Sequence, residues 1–391
     1  MVSKPLSKVA AYKCEQYDID KIKTLFRKAS QEIDFDLSSM RNMRVAIKPN
    51  LLRDSSPEKG VVTHPVFFQA AVQLVKENGG IPILVESPAV HSLDRVFKKT
   101  GYDEIIREEN IEVADTSHVK VVYNEHARRF KRFELAADAV DADILLNLPK
   151  FKTHGITYIT AAVKNLFGTI HGLNKSQWHL RASTKEEFAT ILLDLYDAYI
   201  HHMNKTVLHL VDAITVLEGE GPGPSGSPKS MNVIAAGLDA IAVDYVLSKL
   251  VQIDVNLVHT VKMGDSRGLG QGREEAISIL GDPVDLLQVT DFKPTKSSLS
   301  SDLMRWPFTS PVMRSLFVQR PVPSEEKCTL CYQCKSICPA GAISRAAEGE
   351  KIPAYDYKKC IRCYCCMEIC PESAIDLKNG KLQWMFNIVT T

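Results

Sequence analysis

A chain of 391 residues suggests two or three domains, and its hydrophobic fraction of 45% and charged fraction of 24% are those of a globular protein. A formal net charge of +1 leaves no bulk field to draw it to nucleic acid or to an acidic membrane surface. The N-terminus MVSKPLSKVAAYKCEQYDID lacks a signal peptide's apolar core, and no run approaches the roughly 18 apolar residues of a membrane helix, so a cytoplasmic, at most peripheral, setting is expected.

Over residues 1–292 apolar strands alternate with amphipathic helices. Residues 44–52 (RVAIKPNLL) read as a buried strand running into a loop. Residues 65–78 have helical periodicity and stop at Gly79-Gly80, a C-cap signal. A strand follows at 81–86, a helix at 92–109 and a strand at 111–114. Segment 119–133 breaks the alternation and reads as an edge β-hairpin, with the basic run Arg128-Arg129-Phe130-Lys131-Arg132 on its solvent face. Residues 142–148 (ADILLNL) are another buried strand, and 157–167 and 185–201 read as helices. Strands at 207–211 and 233–236, helices at 239–250 and 256–263, and a last strand at 284–289 complete the pattern. The fold class is α/β: a mostly parallel, doubly wound sheet in one or two lobes, covered by helices on both faces.

In such sheets ligands bind beyond the carboxyl ends of the strands. Lys48-Pro49-Asn50 and Glu86-Ser87-Pro88 leave two strands, and Lys150-Phe151-Lys152-Thr153-His154 leaves a third. Asp212 leaves a fourth and leads to Glu218-Gly219-Glu220-Gly221-Pro222. Thr63-His64-Pro65 opens a helix, where backbone N–H groups favour an anion. The helix after the Lys150 loop adds Lys164-Asn165, then Gly168, His171, Gly172 and Lys175. Each taken singly is a solvated lysine or a hydrogen-bonded structural histidine. Together they make a cationic pocket for a carboxylate or phosphate. Lys48, Asn50, Thr63, His64, Lys152, Lys164, Asn165 and His171 are its expected substrate contacts, and Lys150, His154 and Asp212 its expected catalytic groups. The glycine-rich stretches 219–226 and 267–272 match neither a dinucleotide fingerprint nor a P-loop, and the first reads as a shaped loop or lid.

Nine of the ten cysteines lie between Cys328 and Cys370. The run Cys328-x2-Cys331-x2-Cys334-x3-Cys338-Pro339 repeats as Cys360-x2-Cys363-x2-Cys366-x3-Cys370-Pro371. Two intervening residues let three thiolates curl around one face of a cubane, and the cysteine before proline serves the other cluster. The cofactors expected are therefore two [4Fe–4S] clusters, one on Cys328, Cys331, Cys334 and Cys370, the other on Cys360, Cys363, Cys366 and Cys338. Zinc also uses C-x2-C pairs, but two four-cysteine runs each closed by Cys-Pro fit it poorly. Cys14 and Cys365 are left out of both sets. Residues 327–391 read as a small ferredoxin-like α+β domain. Residues 293–326 carry Met304, Trp306, Phe308, Val312, Met313, Leu316 and Phe317, more large apolar groups than a free linker holds, and read as a strap between the domains. A docking patch for a redox partner or a membrane surface is the rival reading.

KPNLL at 48–52, THP at 63–65, LPKFKTH at 148–154, AVKNLFG at 162–168 and the stretch from Asp212 through EGEGPGPSG to Asp239 and Asp244 resemble the family of the domain of unknown function 362. That family is often fused to a bacterial-type ferredoxin. The resemblance covers roughly residues 40–290; it implies an iron–sulfur protein whose lysines and histidines form one site, and names no reaction.

Three functions fit. In the first, low-potential electrons pass through both clusters to a small anionic substrate in the pocket, in an oxidoreductase of anaerobic habit. In the second, the chain is an electron-transfer or assembly protein that docks on a larger redox enzyme. In the third, the clusters are structural or sensory and the α/β domain binds its ligand without redox chemistry. The expected partners are a small anion and a redox protein such as a ferredoxin or reductase, with no nucleic acid.

Overall fold

The computed structural model describes residues 6–295, 316 and 318–380, apart from 89–91, 173, 183 and 224. One large mixed sheet organises the first part. Its strands are β1 (Ser7–Lys13), β2 (Arg44–Pro49), β3 (Ile81–Leu84), β4 (Glu112–Val113), β7 (Ile144–Leu148), β8 (Lys150–His154), β9 (Tyr158–Thr160), β10 (Thr206–Gly219), β11 (Gly226–Gly237) and β12 (Ile277–Gly281). Strands β5 (Val119–Tyr123) and β6 (Arg132–Ala136) form a separate antiparallel pair. The order is β12-β1-β11-β10-β7-β2-β3-β4, with β8 on β10 and β9 on β8. Strands β10, β7, β2, β3 and β4 run parallel, while β11 is antiparallel to both its neighbours.

The period-two alternation of these strands feeds two cores. Val45, Ile47, Leu146, Leu148, Leu208 and Leu210 face one side, against helices Ile19–Glu32 and Pro65–Glu77. Ala46, Leu145, Val207 and Val211 face the other, under helices Lys185–Asp197 and Ala240–Leu250. Caps fix where these helices start: Asp18 accepts Lys21 N–H, His64 accepts Val66 N–H with Pro65 at the first helical position, and Asp239 accepts from Ile241 and Ala242. From β2 the chain winds outward through β3 and β4, then returns to the far side of β2 as β7. The carboxyl ends of β2 and β7 therefore flank a topological switch point, where doubly wound sheets bind ligands.

Several expectations change. Strand β1, the helix Ile19–Glu32 and Tyr17 between them were not anticipated. The helix expected at 92–109 is two, Leu93–Thr100 and Tyr102–Glu108, because Gly101 closes the first in the left-handed conformation. Residues 157–167 are mostly not helix: β9 comes first, then the short helix Ala162–Asn165. The last strand is β12, and the stretch expected as strand at 284–289 contains the helix Val284–Leu287. Lys150–His154 and the residues after Asp212 are strand rather than loop. Pro149 separates β7 from β8, and β10 runs on so that Asp212 pairs with Lys150 and Leu217 with Lys152. The β5–β6 hairpin is where expected but stands apart from the large sheet, with Arg128, Arg129, Lys131 and Arg132 exposed.

The C-terminal part repeats itself. Its two short helices are Gln333–Ile337 and Cys365–Ile369, and β13 (Arg320–Pro323) pairs with β16 (Ile375–Lys378) as β14 (Ile343–Ser344) does with β15 (Ala354–Tyr355). Left-handed residues recur at matching places in the two cysteine runs, Leu330 and Tyr332 in the first, Arg362 and Tyr364 in the second. These curl each run back on itself, at a conformation non-glycine residues rarely take without a functional reason. Strand β13 falls inside the segment expected as linker. Of that segment's apolar residues Leu316 is described; Met304, Trp306, Phe308, Val312, Met313 and Phe317 lie outside the described residues.

Candidate functional site

Register places three polar side chains in one row. Lys48 of β2 sits opposite Asn147 of β7, and Asn147 opposite His209 of β10. All three are buried and share the face of Ala46, Leu145 and Val207. The helix Ala162–Asn165 lies over this row. Its first N–H groups, on Ala162 and Val163, are taken by buried Asp244 at 2.6 and 3.3 Å. Burial raises Asp244 to about 7 against the pull of those two donors. Asn165 bridges the row: its Nδ2 donates to Asn147 Oδ1 (2.8 Å) and to the Lys48 carbonyl (3.0 Å), and its Oδ1 accepts from Asn50 Nδ2 (2.9 Å). Thr63 closes the base of the loop after β2, accepting Asn50 N–H at 2.9 Å and donating to the Leu148 carbonyl at 2.7 Å.

The expected lysines meet different partners. Lys48 donates to Glu86 Oε2 at 2.7 Å, both side chains being buried. Lys150 donates to Asp212 Oδ2 and to Tyr17 Oη, each at 2.8 Å, and Tyr17 in turn donates to Asp212 Oδ1 at 2.9 Å. His64 stacks on Tyr17 with centroids 3.6 Å apart, and its backbone N–H reaches Asp212 at 2.9 Å. Lys152 has no carboxylate partner among the described residues; it donates to Asn50 Oδ1 (2.9 Å) and the Val61 carbonyl (2.7 Å). Burial lowers it to about 7, and the neighbouring charge of Lys164 adds to that. Lys175 donates to the Ser87 carbonyl and is lowered by burial to about 8. Lys164 has no hydrogen-bond or ion-pair partner among the described residues, and burial lowers it too. His171 lies apart, its Nδ1 3.3 Å from Thr116 Oγ1.

His154 meets the cysteine-bearing part directly. Its Nδ1 accepts the N–H groups of Ile156 and Thr157 at 3.0 and 3.2 Å, so its proton sits on Nε2, 3.1 Å from Glu368 Oε1. Burial holds His154 down to about 4, with the charge of Lys164 adding to it. Burial opposes ionisation of Glu368, yet His154, Lys164 and His179 hold it at about 2. The pair is thus a neutral imidazole donating to a carboxylate. Glu368 and His154 line a small pocket with Gly221, Gly223, Cys363 and Met367. The loop between β10 and β11 closes against it. A Cβ on Gly223 would come within 2.9 Å of Glu368 Cα, so only glycine allows that approach. Beside this contact, Arg53 donates to the carbonyls of Glu368 and Cys370.

Cys328, Cys331, Cys334 and Cys370 line one pocket with Tyr355. Burial pushes the Cys334 thiol up to about 11, with Cys331 and Cys370 adding to it. Burial likewise raises Cys338, and the thiols it feels besides are Cys363 and Cys360 of the other run. Each last cysteine thus faces the opposite run. Among the described residues no three His, Cys, Asp or Glu side chains converge as a single-ion site requires. Four thiols set around a cavity suit a cluster instead, so the residues fit a [4Fe–4S] group. Cys365 is buried against Cys363, its Sγ 3.9 Å from the Cys363 carbonyl and within hydrogen-bond reach of the Cys363 thiol, and Cys14 is buried beside Gln16.

Tyr17, Arg53, Asn147, His209 and Glu368 were absent from the residues expected at the site, and Glu86 was placed at a strand exit there without a role.

A family model described as "Domain of unknown function (DUF362)" matches residues 45–249, and a "4Fe-4S dicluster domain" matches 320–371. The thylakoid-associated protein sll1697 of Synechocystis sp. is 31% identical over 245 residues, 62% of this chain and 74% of that protein. Among solved structures, the lactate racemase apoprotein of Thermoanaerobacterium thermosaccharolyticum aligns at 15% identity and a TM-score of 0.37, covering 59% of this chain and 54% of that one. A Thermotoga maritima protein aligns at 13% and 0.38, covering 58% and 57%. The chain spans less than two thirds of either. No helix among the described residues is long and apolar enough to cross a membrane.

Proposed function

Because the chain belongs to the DUF362 family and carries a 4Fe–4S dicluster domain behind that domain, we propose that it is an iron–sulfur oxidoreductase that passes low-potential electrons through two [4Fe–4S] clusters to a small carboxylate or phosphate. Such clusters, held by the two cysteine sets, supply one electron at a time. The reading is carried by Lys164. Among the described residues its ammonium has no hydrogen-bond or ion-pair partner, yet it is felt by Lys152, Lys175 and His154 on one side and by Glu368 of the cysteine-bearing helix on the other. A half-buried, unpaired cation among other cations is costly unless an anion joins it.

Lys164 and Lys152 hold the anion in this reading, with Asn50 and Asn165 fixing Lys152 and the strand ends around it. Lys48 and Lys150 are already engaged by Glu86 and Asp212, and give the site its shape more than its charge. His154 Nε2 and Glu368 Oε1 hold one proton between them at the wall of that pocket, beside Cys363. The loop carrying Gly221 and Gly223 covers that wall and limits water.

The test is to load the chain without oxygen, reduce it with dithionite, and follow re-oxidation by unsaturated acids, phosphates and thiol conjugates. At least one small anion should re-oxidise the wild type, and Lys164→Ala should slow that step by about 100-fold, the loss of one charge-assisted contact of roughly 3 kcal/mol. Equal rates in the variant for every accepted anion contradict the assignment.

A further inference from the structure

We propose that Arg53 is a positioning residue that fastens the cluster-binding loop to the α/β domain and raises the reduction potential of the cluster on Cys328, Cys331, Cys334 and Cys370. The inference rests on the two-cluster reading above.

Arg53 lies in the loop after β2, which Asn50 and Thr63 staple shut: Asn50 N–H to Thr63 Oγ1 at 2.9 Å and Thr63 N–H to the Asn50 carbonyl at 3.0 Å. From there the side chain crosses to residues more than 300 positions away. Its Nη1 donates to the carbonyl of Glu368 at 3.1 Å and to that of Cys370 at 3.0 Å. Arg53 is 2% exposed. Its nearest carboxylate oxygen, Asp54 Oδ1, is 4.0 Å from Nη2, and Asp54 Oδ2 accepts from Arg95 at 2.7 Å. Its Nε finds no partner among the described residues. Arginine does not lose its proton in proteins, so a full positive charge is fixed here with incomplete compensation. The thiols of Cys370 and Cys331 lie near enough to feel it.

Reduction adds one negative charge to a cluster. A buried cation beside its ligands favours that added charge, because the surroundings screen it weakly. The cation comes from the α/β domain, so the potential depends on the two parts staying docked. The loop that supplies it also carries Asn50 and the Val61 carbonyl, which hold Lys152. One segment therefore touches both the anion site and the cluster loop.

The experiment is an EPR-monitored redox titration of the loaded full chain as wild type, Arg53→Gln and Arg53→Lys, with hydrogen exchange across residues 367–372. In Arg53→Gln one reduction step should become harder by about ten-fold in its equilibrium, ~59 mV for one electron, and the other should stay put. Arg53→Lys should keep most of the potential but free the two carbonyls, so residues 367–372 exchange faster. Both steps unmoved in Arg53→Gln at equal iron content would overturn the electrostatic role. If Arg53→Gln loads no iron, unchanged exchange in Arg53→Lys overturns the fastening. A wild type holding one cluster sinks the two-cluster reading, yet the Arg53 effect is still read on its single step.

Discussion

Asp212→Asn is predicted to destabilise the α/β domain severely, through Lys150. Both side chains of that pair are fully buried, with Nζ and Oδ2 2.8 Å apart. Asp212 also receives Tyr17 Oη at 2.9 Å and the His64 N–H at 2.9 Å, whereas among the described residues Lys150 has only Asp212 and Tyr17 Oη. Removing the carboxylate charge strands a buried ammonium, at about 3–5 kcal/mol. That is a large share of the 5–15 kcal/mol that holds a typical domain together, and corresponds to a loss on the order of 10 °C in Tm. Lys150→Met leaves Asp212 with its other donors, so Asp212→Asn added on that background should cost under about 1 kcal/mol. Urea unfolding of the four proteins closes the cycle and reads the coupling directly. A loss below about 1 kcal/mol for Asp212→Asn alone, or the same loss in both backgrounds, refutes the reasoning.

Further outcomes follow from the same geometry. Cys365→Ser should retain its full iron, while Cys363→Ser should lose roughly half; equal loss in both would place Cys365 among the ligands. Stability should fall as pH drops from about 6.5 toward 4. Burial holds His64, His154 and His179 down to about 4 and His209 to about 3, so unfolding takes up four protons in that window, while Asp244, raised to about 7, gives one back. The net of about three protons gives a slope of up to about 4 kcal/mol per pH unit, and a urea midpoint that is flat or rises on acidification contradicts it. Gly223→Ala forces a Cβ against the Glu368 backbone and should loosen the two parts, seen as faster proteolysis near residue 223; unchanged cleavage says the contact is slack.

The gathering of Cys328, Cys331, Cys334 and Cys370 around one pocket was legible in the sequence because it follows from local spacing. Lys48 and Asn50 at the end of β2 were legible because an apolar strand shows where it stops. Lys150–His154 and the residues after Asp212 were not, since Lys150 and Asp212 satisfy each other inside the sheet and look in sequence like surface residues. Nor could local pattern supply the long-range partners: Tyr17 meets Asp212 across 195 residues, and Arg53 meets Cys370 across 317. Residues 157–167 and 284–289 misled for a simpler reason, that short apolar runs suit strand and helix alike.

The most direct test of the account is the cluster content of the chain prepared without oxygen. Iron and acid-labile sulfide should each come to about eight per chain, and the dithionite-reduced protein should show the EPR of two spin-coupled [4Fe–4S] centres. About four of each, or zinc in place of iron, would contradict it.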